Sequence, residues 1–290
     1  MNPTDLLSIA RFFDFTAHPF EHEKLFRRDG VRTVVDVLNE IGPYCREMFS
    51  QFPTDYSAEY NVAHSDWPTT ACEGEFNVVL GPDAVFSPDR IIGGSEPRFI
   101  FVDEAAEVRG GTFDVTAGSI YLGPRSSVQG AWTAGPAIVG GGTALRPGAY
   151  LRGDVIIGRQ CVIRGELKNA VIMDEGAFPH PCYLGDSLCG FKAHFGNQVT
   201  AANVTIFGSK EPVKLKIDGA TIDLGRRKIG IVMGDLCQVG CNAVSDPGTF
   251  LLPRTIVYAL TRINSGIYGP DEVLKNKPME HGVIERAPLK

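Results

Sequence analysis

Apolar residues in the middle of this chain return at every sixth position. Leu122, Val128 and Ala134 are six apart. After a slip of one residue Val139, Leu145, Leu151, Ile157 and Ile163 continue the beat, then Ile172, Phe178 and Leu184, and after another slip Cys189, Phe195 and Ala201. A helix buries one face at a period of 3.6 and a half-buried strand alternates at two, so neither asks for a period of six. A coil of triangular cross-section does, because each flat side sends one side chain to the axis. Gly, Pro or a polar residue often follows the apolar one, as at Leu122-Gly123, Ile157-Gly158 and Leu184-Gly185, where corners are expected to need unusual backbone angles. Coils stacked in this way share one core, so the pattern predicts a parallel β-solenoid.

Upstream the pattern is different. Val34, Val35, Leu38, Ile41 and Cys45 fall on one helical face within a predicted helix over 31–52. Residues 54–75 carry no clear period and read as a connection. The expected organisation is therefore a helical N-terminal region over 1–75, a solenoid over 76–270 and a tail over 271–290. A natural role for the first region is to cap the open end of the solenoid, whose edge would otherwise be unpaired.

Composition narrows the function. Net charge is -6 and no run of Lys or Arg occurs, so neither nucleic acid nor an anionic membrane has an electrostatic footprint. The start does not read as a signal peptide and no apolar run spans a bilayer, so a cytoplasmic protein is expected. The 7 cysteines have no framework spacing and are expected mostly as small buried side chains.

The richest chemistry lies between Gly165 and Gly190, where Glu166, Lys168, His180, Tyr183 and Asp186 crowd into one or two coils. Arg146 and Arg152 lie upstream, and Asn203, Lys210, Lys214 and Lys216 downstream. The stretches LRPGA, ELKNA, PHPCYLGDS and AAN, followed by GRRKIGIVMGD, resemble the acetyltransferase domain of bifunctional sugar-1-phosphate nucleotidylyltransferases, the archaeal type above all. The likeness covers roughly residues 115–265.

That resemblance implies a left-handed β-helix, a homotrimer with sites between subunits, acetyl-CoA as co-substrate, and an amino sugar 1-phosphate such as glucosamine 1-phosphate as acceptor. It assigns His180 as general base and Glu166 as a carboxylate that orients the imidazole or holds the ammonium. Arg146 and Lys168 would clamp the sugar phosphate, Tyr183 would contact phosphate or sugar, and Asn203 would stand near the amine. Lys210 and Lys214 fall in a loop that closes over substrate. Ala201 and Ala202 would leave backbone N–H groups open to the thioester oxygen or pantetheine. The assignment fits the chemistry: a sugar ammonium must lose a proton before it attacks a thioester, and histidine titrates in the right range.

Departures from the family are also visible. A Gly-rich nucleotide loop is missing from residues 1–75, so no nucleotidylyltransferase activity is expected of this chain. His194 and Val204 stand where bacterial members have Asn and Tyr. Residues 245–269 lack clean hexads by eye. Other readings are a non-catalytic trimer serving as platform or regulatory subunit, an acyltransferase for a different sugar nucleotide, and a zinc enzyme built on His180, His194 and a third ligand.

Overall fold

The computed structural model describes residues 3–50, 61–64, 71–206, 210–217 and 219–276. It is mainly β: a left-handed parallel β-helix of about 11 turns, with a helical segment before it. Each coil has three faces, here called A, B and C in chain order. Trp132–Ala134, Ala137–Val139 and Ala144–Leu145 are the three strands of one coil, and Tyr150–Arg152, Val155–Ile157 and Val162–Ile163 those of the next. Corresponding strands pair in parallel, rung on rung. Among the described residues face C stacks ten strands. Two longer strands, Glu166–Ile172 and Tyr183–Cys189, run from face A round onto face B.

The hexad residues point to the axis. Leu145, Leu151, Ile157, Ile163, Ile172, Phe178, Leu184 and Phe195 are all within 1% of full burial and belong to one continuous core. Two sequence expectations shift. The axis position expected at Ala134 is held by Thr133, fully buried, because the strand has moved by one residue. The C-terminal coils are also regular: Met233, Val239, Ser245, Leu251, Val257 and Ile263 are six apart and at most 3% exposed. Polar Ser245 on the axis and a long insertion between Ala201 and Ile231 hide that phase.

Between faces B and C the corners do carry unusual backbone angles, but not at Gly123 or Gly158, whose φ is not positive; the angles fall two residues later. Arg125, Gln160, Glu175 and Lys192 adopt φ between 55° and 59°, a left-handed conformation costing about 1 kcal/mol for a side-chain-bearing residue. Each offsets the cost by donating its N–H to a carbonyl of the preceding coil at 2.8–3.1 Å. The expected corner at Leu184-Gly185 is not one. Gly185 lies mid-strand at ordinary φ, and its lack of a side chain serves another purpose described below.

Face B is apolar on both sides. Its outward column runs Ile138, Ile156, Val171, Leu188, Val232 and Phe250 in register. A second core covers it, made by the N-terminal segment (Phe12, Leu25, Phe26) and helix Val34–Ser50, with Val34, Val35, Leu38, Ile41 and Cys45 buried as the spacing predicts. The helical segment therefore lies along a side face rather than over the end. Strand Asn61–His64, from the stretch read as a connection, does pair antiparallel with first-coil strand Phe76–Leu80 and so occupies that edge. The rungs also extend slightly past the expected limits, from Ala71–Glu73 to Val273–Leu274; most of the tail, 277–290, lies outside the described residues.

Four of the seven cysteines, Cys45, Cys161, Cys189 and Cys237, are buried as expected. No helix among the described residues is long and apolar enough to cross a membrane.

Candidate functional site

Face A of the middle coils carries the polar residues that the sequence singles out. Along each strand the central residue turns inward and its neighbours outward: Tyr150 and Arg152 about Leu151, Glu166 and Lys168 about Leu167, Tyr183 and Gly185 about Leu184. Glu166 lies beside Tyr183, and Lys168 beside Gly185, in adjacent rungs. Rungs are spaced by roughly 4.8 Å, so these side chains stand on a common surface.

The corner from face C to face A carries cations and imidazole. Arg146 and Arg164 each follow an axis residue and stack in register, the backbone N–H of Arg146 donating to Ile163 O at 2.8 Å and that of Arg164 to Phe178 O at 2.8 Å. The Arg146 side chain reaches Pro179 O at 3.3 Å and that of Arg164 reaches Pro147 O at 3.1 Å. Neither guanidinium meets a carboxylate among the described residues, so both charges remain available to an anion. His180 follows Pro179 at this corner and is exposed. On the next coil burial, and secondly the neighbouring His180 imidazole, pull His194 below the usual histidine value. Cys182 lies between His180 and Tyr183, but burial pushes its thiol up to about 12, which makes it a poor nucleophile near neutral pH.

The corner from face A to face B is a buried polar cluster. Asp186, 4% exposed, accepts from Asn203 Nδ2 at 2.7 Å, Asn169 Nδ2 at 3.0 Å and Arg226 Nη2 at 3.2 Å. Asn169 and Asp186 adopt φ of 46° and 47°, a conformation that Asn and Asp tolerate better than most. Arg226 comes from the insertion, within the GRRKIG stretch. Tyr183 also meets Asn203. Burial first, then Glu166 and Asp186, raise its phenol above the usual tyrosine value, so it stays protonated near neutral pH.

Gly185 lets Tyr183 and Asn203 meet. A Cβ there would lie 2.5 Å from Tyr183 Oη and 2.6 Å from Asn203 Nδ2, so the two side chains converge over the space the glycine leaves.

Other expected residues fall differently. Glu166 is not bonded to His180; its carboxylate is held by Arg152 at 2.7 Å. Ala201 points into the axis core, and the Ala202 N–H donates to Ser245 O at 3.0 Å, so that donor is not open to a thioester. Ala202 does line a cleft of about 390 Å³ with Val204, Val213, Lys214, Asp246 and Arg262. Lys214 is paired with Glu211 at 3.3 Å, and Lys210 is exposed on the insertion. Lys168 has no ion pair among the described residues.

Over about half of its length this chain is similar to acetyltransferases. It is 30% identical over 147 residues to the "Bifunctional protein GlmU" of Methanococcus vannielii, a stretch covering 49% of this chain and 34% of that one. It is 33% identical over 126 residues to the "Bifunctional sugar-1-phosphate nucleotidylyltransferase/acetyltransferase" of Sulfurisphaera tokodaii, covering 42% and 31%. It is 29% identical over 149 residues to the "Putative uncharacterized acetyltransferase YaiX" of Escherichia coli K12, covering 49% and 62%. The chain thus spans about a third of the two bifunctional relatives it matches. No family model matches it. The resemblance expected from the motifs is borne out by these relatives, which match over the C-terminal half.

Arg152, Arg164, Asp186 and Arg226 belong to this surface without having been assigned a role from sequence. Arg164 had a signal, since it repeats the aliphatic-then-Arg step of Leu145-Arg146 at Ile163. A second cavity of about 380 Å³, on the corner between faces B and C, mixes Arg125 and Arg159 with Glu21 and Asp103, so it favours neither sign of charge. The zinc alternative finds no support in the side chains: among the described residues no three His, Cys, Asp or Glu come together.

Proposed function

We propose that this protein is an acyltransferase that moves an acetyl group from acetyl-CoA to the amine of an amino sugar 1-phosphate of the glucosamine 1-phosphate kind. The observation that carries the proposal is that Lys168, Tyr183 and Asn203 stand together around Gly185 on face A, with His180 three residues before Tyr183 at the adjoining corner, within a chain half of which is similar to acetyltransferases. In this reading His180 takes a proton from the sugar amine as nitrogen attacks the thioester carbon, and the C–S bond breaks to release CoA thiol. Arg146, Arg164 and Lys168 hold the phosphate dianion, guanidinium and ammonium each without a competing carboxylate. Tyr183 donates its phenol hydrogen bond, and Asn203 offers its amide oxygen to the amine. The apolar wall of Val204 and Val213 beside Ala202 suits the uncharged pantetheine arm, with Lys214 of the insertion lining the same cleft.

The working unit in this proposal is a homotrimer with sites between subunits. Face B is covered by the chain's own N-terminal segment, which leaves faces A and C for a neighbour. Trp132 and Tyr150, 42% and 39% exposed and in edge-to-face contact on face A, give that surface an apolar anchor. His180, exposed and with no carboxylate bonded to it among the described residues, would be oriented by that neighbour.

The test is acetyl-CoA-dependent thiol release with glucosamine 1-phosphate. His180→Ala should lower kcat by about 100-fold or more while oligomeric state and melting stay native. A wild type inactive with both glucosamine 1-phosphate and galactosamine 1-phosphate would overturn the acceptor and favour a non-catalytic platform.

A further inference from the structure

The strongest unassigned feature is the Asp186 cluster, where a buried carboxylate connects the acceptor face to the N-terminal helix. An ionised carboxylate only accepts hydrogen bonds. Asn203 therefore has to turn its NH2 toward Asp186, 2.7 Å away, and cannot be flipped. The same amide group also meets the phenol of Tyr183. With its donors committed, the Asn203 carbonyl oxygen faces away from Asp186 and is left for a ligand's N–H. Asp186 is itself held by Asn169, whose Nδ2 also reaches Leu38 O of the N-terminal helix at 3.2 Å, and by Arg226. Arg226 uses its remaining nitrogens on Asn39 Oδ1 of that helix and on Lys228 O at 3.2 Å. The path Asn39–Arg226–Asp186–Asn203 is continuous and links residues up to 187 positions apart.

We propose that Asp186 is a positioning residue that fixes the orientation of the Asn203 amide toward the acceptor amine, and that the N-terminal helix, through Asn39 and Arg226, is a working part of the acceptor site rather than only a cover for face B. This rests on the reaction proposed above. Asp186→Asn is nearly isosteric but can donate as well as accept, so it removes the constraint on the Asn203 amide while leaving the packing.

Steady-state kinetics with acetyl-CoA and glucosamine 1-phosphate should show the acceptor KM of Asp186→Asn raised about tenfold, with the acetyl-CoA KM unchanged. Arg226→Lys should act in the same direction more weakly. The double variant Asp186→Asn with Asn203→Ala should be no worse than Asn203→Ala alone, because the first change acts through the second residue. Full additivity, or a rise in the acetyl-CoA KM, would overturn the proposal. Selective nitrogen-15 asparagine labelling gives a reading that needs no turnover. The Asn203 side-chain NH2, assigned by its loss in Asn203→Ala, should be protected from exchange in the wild type and lose protection in Asp186→Asn and Arg226→Lys. Protection unchanged in both variants refutes the positioning role. Protection lost as expected in a protein that acetylates no amino sugar phosphate refutes the proposed reaction while leaving the positioning role intact.

Discussion

Gly185→Ala is the most economical probe of the site. The glycine φ is not positive, so alanine needs no backbone strain, and the residue lies on the outside of a strand whose inward neighbour Leu184 keeps the core filled. The added methyl would stand 2.5 Å from Tyr183 Oη and 2.6 Å from Asn203 Nδ2, against the 3.4 Å at which ordinary contact begins. The two atoms must therefore retreat by about 0.9 and 0.8 Å, displacements at which a reacting geometry loses about 100-fold. Stability should change by no more than about 1 kcal/mol, the worth of one disturbed hydrogen bond, with Asn203 still able to reach Asp186 by a small rotation. The assay is thiol release with acetyl-CoA and glucosamine 1-phosphate, run beside a melting curve and a measurement of mass in solution. A variant that retains native activity within threefold would show that the meeting of Tyr183 and Asn203 over Gly185 plays no part in turnover. A variant that loses activity only because it unfolds would show that the glycine serves the fold.

Two further outcomes concern stability. Phe178 and Phe195 pack on the axis with ring centroids 4.8 Å apart and are 0% and 1% exposed, so Phe178→Ala should destabilise by about 3–5 kcal/mol in reversible urea unfolding, and a cost below 1 kcal/mol would mean that the coils relax to fill the void. His22 is buried against Tyr44, at 3.1 Å, and burial lowers its pKa from 6.5. The unfolded chain therefore takes up the proton first as pH falls, so stability is full above about 6.5 and declines below it. His22→Gln should flatten the melting temperature between pH 7 and pH 5 relative to the wild type, and an unchanged slope would assign the pH dependence elsewhere.

The solenoid was legible because its axis accepts one side chain per face from each coil, which leaves a period that no other regular element produces. The phase was lost where that rule bends. Ser245 occupies an axis position with a hydroxyl, and the insertion between Ala201 and Ile231 separates rungs that pair directly in the fold, as Leu188 does with Val232. The second core was also written in the sequence. Face B strands such as Val155-Ile156-Ile157 and Ile231-Val232-Met233 are apolar throughout, and a strand apolar on both sides is covered on both sides. Following only every sixth residue passes over the outward column and hence the reason why the N-terminal segment lies on a side face and not the end.

The proposed acceptor face divides in the same way. Glu166, Lys168 and Tyr183 could be grouped because they fall on adjacent rungs of one short segment. Asp186 and Arg226 are 40 residues apart and Asn39 is farther still, and no local spacing relates them; what brings them together is the packing of a helix and an insertion on the same corner. That corner also limits what a neighbouring copy can do. Its groups are spent on the chain's own N-terminal helix, whereas at the opposite corner Arg146, Arg164 and His180 have no carboxylate partner among the described residues. In the trimer proposed above, the second subunit would therefore approach from the His180 side and bring with it the carboxylate or carbonyl that orients the imidazole.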